Sequence, residues 1–451
     1  MNMKKKSKIA IAFTAVMVIV ASVAAIIWFS ISSEQRNMIA FMMMKGESYN
    51  NYQEYQVIER NDEALAPTSF KPSIADTIKG DNNSNIVAIT EMVKNEKSKM
   101  LKKGMVQTLD FDDYTGWKVL ADEGAEEGEY PFGPSPLSYY TAGLASNLHT
   151  QILKAAKVKG IALDNITVEI SNTFRWNNMS SINGAGFLDV STTNISIDSD
   201  VEEETVQAII NAALNTWTAG NALKNKTVIE PHLIINGNNF DTYKATAGTS
   251  NSEVSFDGDF LLTSVTDIPT KPKYLELKES KDEGIFKMLN TMDNLEFEIF
   301  AISESVNNHE RPYLNKITIS TPSGETWEIY ADEFMDKNDK PLAPTSLEYF
   351  TLGTALCLTS QTTLVSAMLD LEFTDYRIED QIDYRQDTID STNMVSYIDT
   401  VHSYILIESD ESQERLERFY NQSLSLCFAG EGLKNATDMK IHYYLNGKLI
   451  K

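Results

Sequence analysis

Two stretches of this chain, 210 residues apart, hold one register without a gap over most of a domain. Trp117 falls on Trp327, and Ala121, Asp122 and Glu123 fall on Ala331, Asp332 and Glu333. Pro134, Leu137, Tyr139, Thr141, Gly143 and Ala145 meet Pro344, Leu347, Tyr349, Thr351, Gly353 and Ala355. Farther on, Ala219, Gly220, Leu223, Lys224 and Asn225 meet Ala429, Gly430, Leu433, Lys434 and Asn435, and His232, Asn236 and Gly237 meet His442, Asn446 and Gly447. A repeat this long means that whatever one stretch folds into, the other folds into as well. Carried upstream, the same shift sets Ile86 to Ile89 against Glu296 to Ile299. The units then span 85–237 and 295–451, joined by a connector at 238–294 that starts polar and Ser/Thr-rich.

Each unit reads as strands, helix, strands, helix, strand. Lys316 to Ser320 and Thr326 to Ala331 alternate around Pro322, Ser323 and Gly324, a hairpin signature. Thr345 with Glu348 three residues on is a capping box, and Ser135 followed by Pro136 is the matching start signal in the first copy. Gly143 and Gly353 fall inside these helices, where glycine is costly, so each is expected to admit another backbone closely. Two further strands are expected at about 165–175 and 188–197, with equivalents at 375–385 and 398–407. A second helix is expected to start at Asp200 with Glu203, or Asp410 with Gln413, and to end at Gly220 or Gly430. A last strand carries His232 or His442 and stops at Asn-Gly. The class is α/β of the α+β type, because few helices serve many strands.

Ahead of the repeat, Ile9 to Ile31 is an apolar run with no ionisable side chain, long enough to cross a bilayer as a helix. Lys4, Lys5, Lys6 and Lys8 precede it, so the positive-inside bias keeps 1–8 cytoplasmic and the body outside the membrane. The expectation is a single-pass anchor at 9–31 in the cell membrane, with an extracytoplasmic body. A cleaved signal peptide competes, but its apolar region would be unusually long. Residues 32–84 lack a period and read as a stalk or linker. The net charge of -25 argues against a nucleic-acid partner, which needs clustered Lys and Arg.

The chain has two cysteines, Cys357 and Cys427, both in the second unit, and their counterparts are Asn147 and Trp217. Thiols on two packed helices suit a redox pair, and they equally suit buried or permanently bridged structural cysteines. The histidines form no metal-ligand spacing, His232 and His442 read as structural strand residues, and no phosphate loop, dinucleotide fingerprint or nucleophile elbow occurs. No cofactor is expected.

The segments Gly133 to Asn147 and Gly160 to Glu169, and Leu342 to Cys357 with Ser425 to Cys427, resemble the OsmC/Ohr family of osmotically inducible and organic-hydroperoxide-resistance proteins. The resemblance covers both units but not the anchor, stalk or connector. It implies tandem domains forming an intramolecular pseudo-dimer, with central helices wrapped by antiparallel sheets. It further implies a thiol peroxidase acting on an organic hydroperoxide and reset by a thiol reductant. In that pattern Cys357 matches the peroxidatic cysteine and Cys427 the resolving one. Arg311 is the best positional match to the family's arginine, with Arg385, which recurs as Arg175, in reserve. Glu348 lies one residue out of register with the family's glutamate. The first copy lacks both thiols and would serve as scaffold. The competing reading is a non-catalytic envelope or ligand-binding protein that keeps the fold.

Overall fold

The computed structural model describes residues 32–43, 57–60, 84–93, 98–109, 116–123, 131–240, 273–277 and 294–451, apart from short gaps within the last several spans. The anchor expected at 9–31 lies outside the described residues.

Two long helices, α2 (Pro136–Val158) and α5 (Ser346–Leu369), form the centre. Ser135 caps α2 by accepting from Ser138 N–H, and Thr345 with Glu348 closes a full capping box on α5. Both are buried along most of their length, and α5 is apolar enough to cross a membrane although it lies in the core. They meet at glycines. A Cβ on Gly143 would lie 2.6 Å from the Phe350 nitrogen, and one on Gly353 would lie 2.4 Å from the Tyr140 nitrogen. At this crossing Tyr139 stacks on Tyr349 and Tyr140 on Phe350, with ring centroids 5.8 and 4.5 Å apart.

Among the described residues, sheets of eight strands each enclose the pair. The strands are β1 (Ile58–Arg60), β2 (Ser84–Met92), β3 (Lys102–Thr108), β4 (Trp117–Ala121), β5 (Asn165–Asn177), β6 (Ala185–Asp198), β7 (Val228–Ile235), β8 (Asn238–Asn239) and β9 (Lys273–Leu277). They continue as β10 (Glu296–Ser305), β11 (Asn315–Ser320), β12 (Glu325–Ala331), β13 (Tyr376–Thr388), β14 (Met394–Ile407), β15 (Asp438–Leu445) and β16 (Lys448–Leu449). One sheet runs β1-β4-β3-β2-β13-β14-β7-β8 and the other β16-β15-β6-β5-β10-β11-β12-β9. Each therefore takes its middle hairpin from the opposite half of the chain. Alternation explains the seating: β5 buries every second residue toward the helices, as a strand with one covered face must.

Positions 210 apart recur in the hydrogen bonding. Register shifts fall between Thr173 and Phe174 in β5 and between Asp383 and Tyr384 in β13. Thr400 pairs in parallel with Val228, and Asp438 pairs with Val190. The Tyr139 hydroxyl donates to Leu120 O and the Tyr349 hydroxyl to Tyr330 O, both at 2.7 Å. Each final strand ends at a tight Asn-Gly turn, with positive φ at Asn236, Gly237, Asn446 and Gly447.

The structure departs from the sequence reading at four places. Upstream of Trp117 the shift is 213 rather than 210, since Ala88 faces Asp380 while Ala301 faces Ile170. The cause is a β3–β4 connection three residues longer than its β11–β12 equivalent, as the pairings Val106 with Trp117 and Ile319 with Trp327 show. Second, the stretch read as a stalk contains α1 (Ser33–Met43), which buries Met38 and Ile39 and sends the Asn37 side chain to Met368 O, as well as β1. Third, α3 (Glu203–Asn215) and α6 (Gln413–Leu426) start at caps Glu202 and Ser412, because Ser199 and Ser409 turn the backbone two residues on. Fourth, Gly220 and Gly430 do not end those helices. They lie within the short helices α4 (Thr218–Lys224) and α7 (Phe428–Asn435).

Gly353→Ala is expected to lower stability by about 1–3 kcal/mol, because the added methyl meets backbone that cannot yield. Chemical denaturation of the variant beside the wild type measures this.

Candidate functional site

Cys357 sits mid-way along α5, while Cys427 ends α6 and caps α7. Their Sγ atoms are 3.5 Å apart, too far for a covalent bond of about 2.05 Å and close enough for a thiol hydrogen bond. The Gly430 N–H also donates to Cys427 Sγ at 3.4 Å. Both cysteines are buried. The hydrogen bond with Cys357, then burial, pushes the Cys427 thiol well above its ordinary range.

A small pocket of about 100 Å³ opens beside Cys427. Its apolar wall includes Ile229, Leu358, Val401 and Leu424, and its polar wall includes Thr354, Asp380, Ser403 and Cys427. Glu431 and Lys434, paired at 3.1 Å, also line it. Cys427 reaches the pocket, whereas on α5 it is Thr354 and Leu358, flanking Cys357, that do so. Asp380 is buried on β13 and accepts from the Ser403 hydroxyl at 2.5 Å. Burial raises its carboxyl to about 7, with the Ser403 bond opposing.

From the other central helix, the buried Tyr140 hydroxyl makes no hydrogen bond among the described residues. Burial, then Cys357, Cys427 and Tyr384, push that phenol well above its usual value. Sequence reasoning missed Asp380, Ser403 and Tyr140. The signal was present in the 210-residue register, which sets them against Ile170, Thr193 and Phe350.

The matching place in the N-terminal half is filled. Trp217 is buried and donates from Nε1 to Leu144 O at 3.0 Å. Asn147 accepts from Ala219 N–H and donates to Ser346 Oγ. Arg311 and Glu348 are engaged elsewhere. The Arg311 guanidinium pairs with Asp332 and Asp339 at 2.5 Å each and donates to Glu333 O, bracing the loop ahead of α5. Glu348 accepts from Thr345 N–H at 2.8 Å, from Thr108 N–H at 3.1 Å and from Thr108 Oγ1 at 3.0 Å, tying α5 to β3. Neither lines the pocket over the thiols. Arg385 pairs with Asp399 and Arg175 with Asp189, the same contact 210 residues apart. His232 stacks on Tyr404 and His442 meets Asn194, and among the described residues no cluster of His, Cys, Asp or Glu could hold a metal.

Fold and site together define a mixed α/β protein with a buried, unbonded thiol pair beside a small pocket. Residues 126–232 match the family described as OsmC-like protein, so an OsmC-like domain lies there, in a span that holds neither cysteine. Among solved structures, an OsmC-like hydroperoxide resistance protein from Jannaschia sp. CCS1 is similar at 16% identity and a TM-score of 0.23, covering 34% of this chain and 96% of that one. No curated protein matches.

The raised Asp380 carboxyl binds its proton more tightly in the folded than in the unfolded chain, whose value stays near 3.8. Its contribution to stability is therefore complete below that value and is lost as pH rises through about 7. Asp380→Asn is expected to match the wild type in stability near pH 4 and to exceed it above pH 7 by on the order of 3–4 kcal/mol. Denaturation midpoints across pH check both the sign and the window.

Proposed function

We propose that this protein is a membrane-anchored, OsmC-like thiol peroxidase that reduces organic hydroperoxides through Cys357 and Cys427. The observation that carries this is the pair of unbonded sulfurs 3.5 Å apart beside a small, mostly apolar pocket. That arrangement suits two-electron thiol chemistry. A thiolate forms an S–O bond with the terminal peroxide oxygen, the O–O bond breaks, and the departing alkoxide gains a proton to become an alcohol. The second thiol then attacks the sulfenic sulfur, an S–S bond forms and water leaves. An external dithiol restores both thiols by exchange.

In this reading the chain is a tandem of two OsmC-like units folded as an intramolecular pseudo-dimer. The recurring 210-residue register, the exchanged central hairpins and the paired helices support it. The unit without thiols supplies half of the core and the Tyr140 phenol near the sulfurs. The apolar run Ile9 to Ile31 supports a single-pass anchor that holds the body outside the membrane. One observation favours a non-catalytic, ligand-binding protein instead: Arg311 is bound to two carboxylates and does not line the thiol pocket.

Fully reduced protein mixed with an organic hydroperoxide is expected to consume one equivalent and lose two titratable thiols, and the double Cys357→Ser, Cys427→Ser variant is expected to consume none. A reduced wild type that leaves the hydroperoxide intact sinks the peroxidase reading and leaves the binding one. For the anchor, the expected outcome is a protein that sediments with membranes after alkaline carbonate washing and is cleaved by protease added to spheroplasts.

A further inference from the structure

We infer that the Tyr140 hydroxyl donates a hydrogen bond to the oxygen that a hydroperoxide leaves on Cys357, so that the half of the chain without cysteines completes the oxidised site. The inference rests on the peroxidase reading and takes Cys357 as the sulfur oxidised first, as the family resemblance implies.

Position comes first. Tyr140 is held against α5 at the helix crossing, where a Cβ on Gly353 would lie 2.4 Å from the Tyr140 nitrogen and 2.8 Å from its Cβ. The Tyr140 ring stacks on Phe350, with centroids 4.5 Å apart. Phe350, Gly353 and Cys357 follow the spacing that shares one helix face, so Tyr140 packs on the face of α5 that carries the thiol, one turn away. After burial, Cys357 acts on this phenol more than Cys427 or Tyr384 does.

The hydroxyl is also unused. Tyr140 is fully buried, and its oxygen has no hydrogen-bond partner among the described residues. The buried tyrosines around it are satisfied: Tyr139 donates to Leu120 O, Tyr349 to Tyr330 O, and Tyr384 bonds with Thr351. A buried hydroxyl without a partner gives up its bonds to water for nothing, and a phenylalanine would avoid that cost. Position 350, which is 210 residues on, does avoid it. Phe350 lies against Gly143, and one turn beyond Gly143 stands Asn147, already bonded to Ser346 and Ala219. The phenol is thus kept where the facing helix carries a thiol, and is absent where it carries a satisfied amide. A thiol sulfur is a weak acceptor, whereas an oxygen bonded to it is a strong one that reaches farther.

Burial, then the two sulfurs, hold the phenol protonated far above its usual range, so Tyr140 acts as a donor and not as a base. The step balances without it. The Cys357 sulfur forms a bond to the terminal OH of the peroxide, the O–O bond breaks, and the alkoxide leaves with the thiol proton as an alcohol. Sulfur loses two electrons and the peroxide gains them. Tyr140 keeps its proton and shares it with the new sulfenic oxygen, stabilising charge as it develops there. Cys427 then displaces that oxygen as water.

Two measurements on full-length reduced protein test this, with cumene hydroperoxide as the oxidant. In rapid mixing, Tyr140→Phe is expected to slow the first turnover by about 10-fold or more, with a denaturation midpoint at or above that of the wild type. In the Cys427→Ser background, where the sulfenic acid has no resolving thiol, the oxidised-minus-reduced infrared spectrum is expected to show a shifted tyrosine C–O band. Adding Tyr140→Phe is expected to remove that band. A wild-type rate in Tyr140→Phe, a band that survives the substitution, or a lowered midpoint, which would give the hydroxyl a structural role, overturns the inference. An inert wild type fails the peroxidase reading itself, which is a different outcome from an active wild type indifferent to Tyr140.

Discussion

Gly143 and Gly353 let two buried helices approach until each backbone touches the other, and the rest of the fold is arranged around that contact. Each glycine faces the aromatic pair of the opposite helix, so the crossing is filled by Tyr140 and Phe350 on one side and Tyr139 and Tyr349 on the other. A helix pair this close leaves no solvent-facing stripe at its centre, and burial of α2 and α5 has to be completed by sheets on both sides. Because each sheet draws its central hairpin from the opposite half, neither half encloses its own helix alone. The ties between the halves are correspondingly numerous, from the parallel pairing of β14 with β7 to the Glu348 carboxylate held by Thr108.

Positions 210 residues apart recur across this frame, but the cysteines are one-sided. The place that holds Cys427, Asp380 and a pocket on one side is packed with the Trp217 indole and Ile170 on the other. Even the hydroxyl of the helix crossing is unequal: Tyr140 lies near the sulfurs, while its counterpart Phe350 has none. Trp217 stands where a thiol does in the other half, and without a thiol beside it a buried acid would only cost desolvation, so Ile170 fits where Asp380 stands in the other half. The differences are thus physically linked rather than independent.

Legibility in the sequence followed interaction range. The capping box at Thr345, the Ser135–Pro136 start, the Asn-Gly turns and the helix glycines are local backbone demands, and each was readable because one residue type satisfies it. The short helices after Asn215 and Leu426 were hidden. Gly220 and Gly430 carry the usual signature of a helix end, yet here one makes room for the Trp217 ring and the other gives its N–H to a thiol. Likewise α1 has too weak an apolar period to announce itself, and its burial against α5 is a tertiary contact.

The capped central helices, the residues that recur 210 positions apart and the confinement of both cysteines to one half were determined by the sequence alone, because they rest on patterning and on which residue stands at each position. Which groups meet was decided only in three dimensions. Arg311 and Glu348 are near the family pattern along the chain, but two carboxylates hold the first and backbone N–H groups hold the second. Asp380 and Tyr140, remote from both cysteines in sequence, are brought beside them by a strand register and a helix crossing. Charge, desolvation and reach act through space, so the surroundings of the thiols exist only once the halves have interlocked.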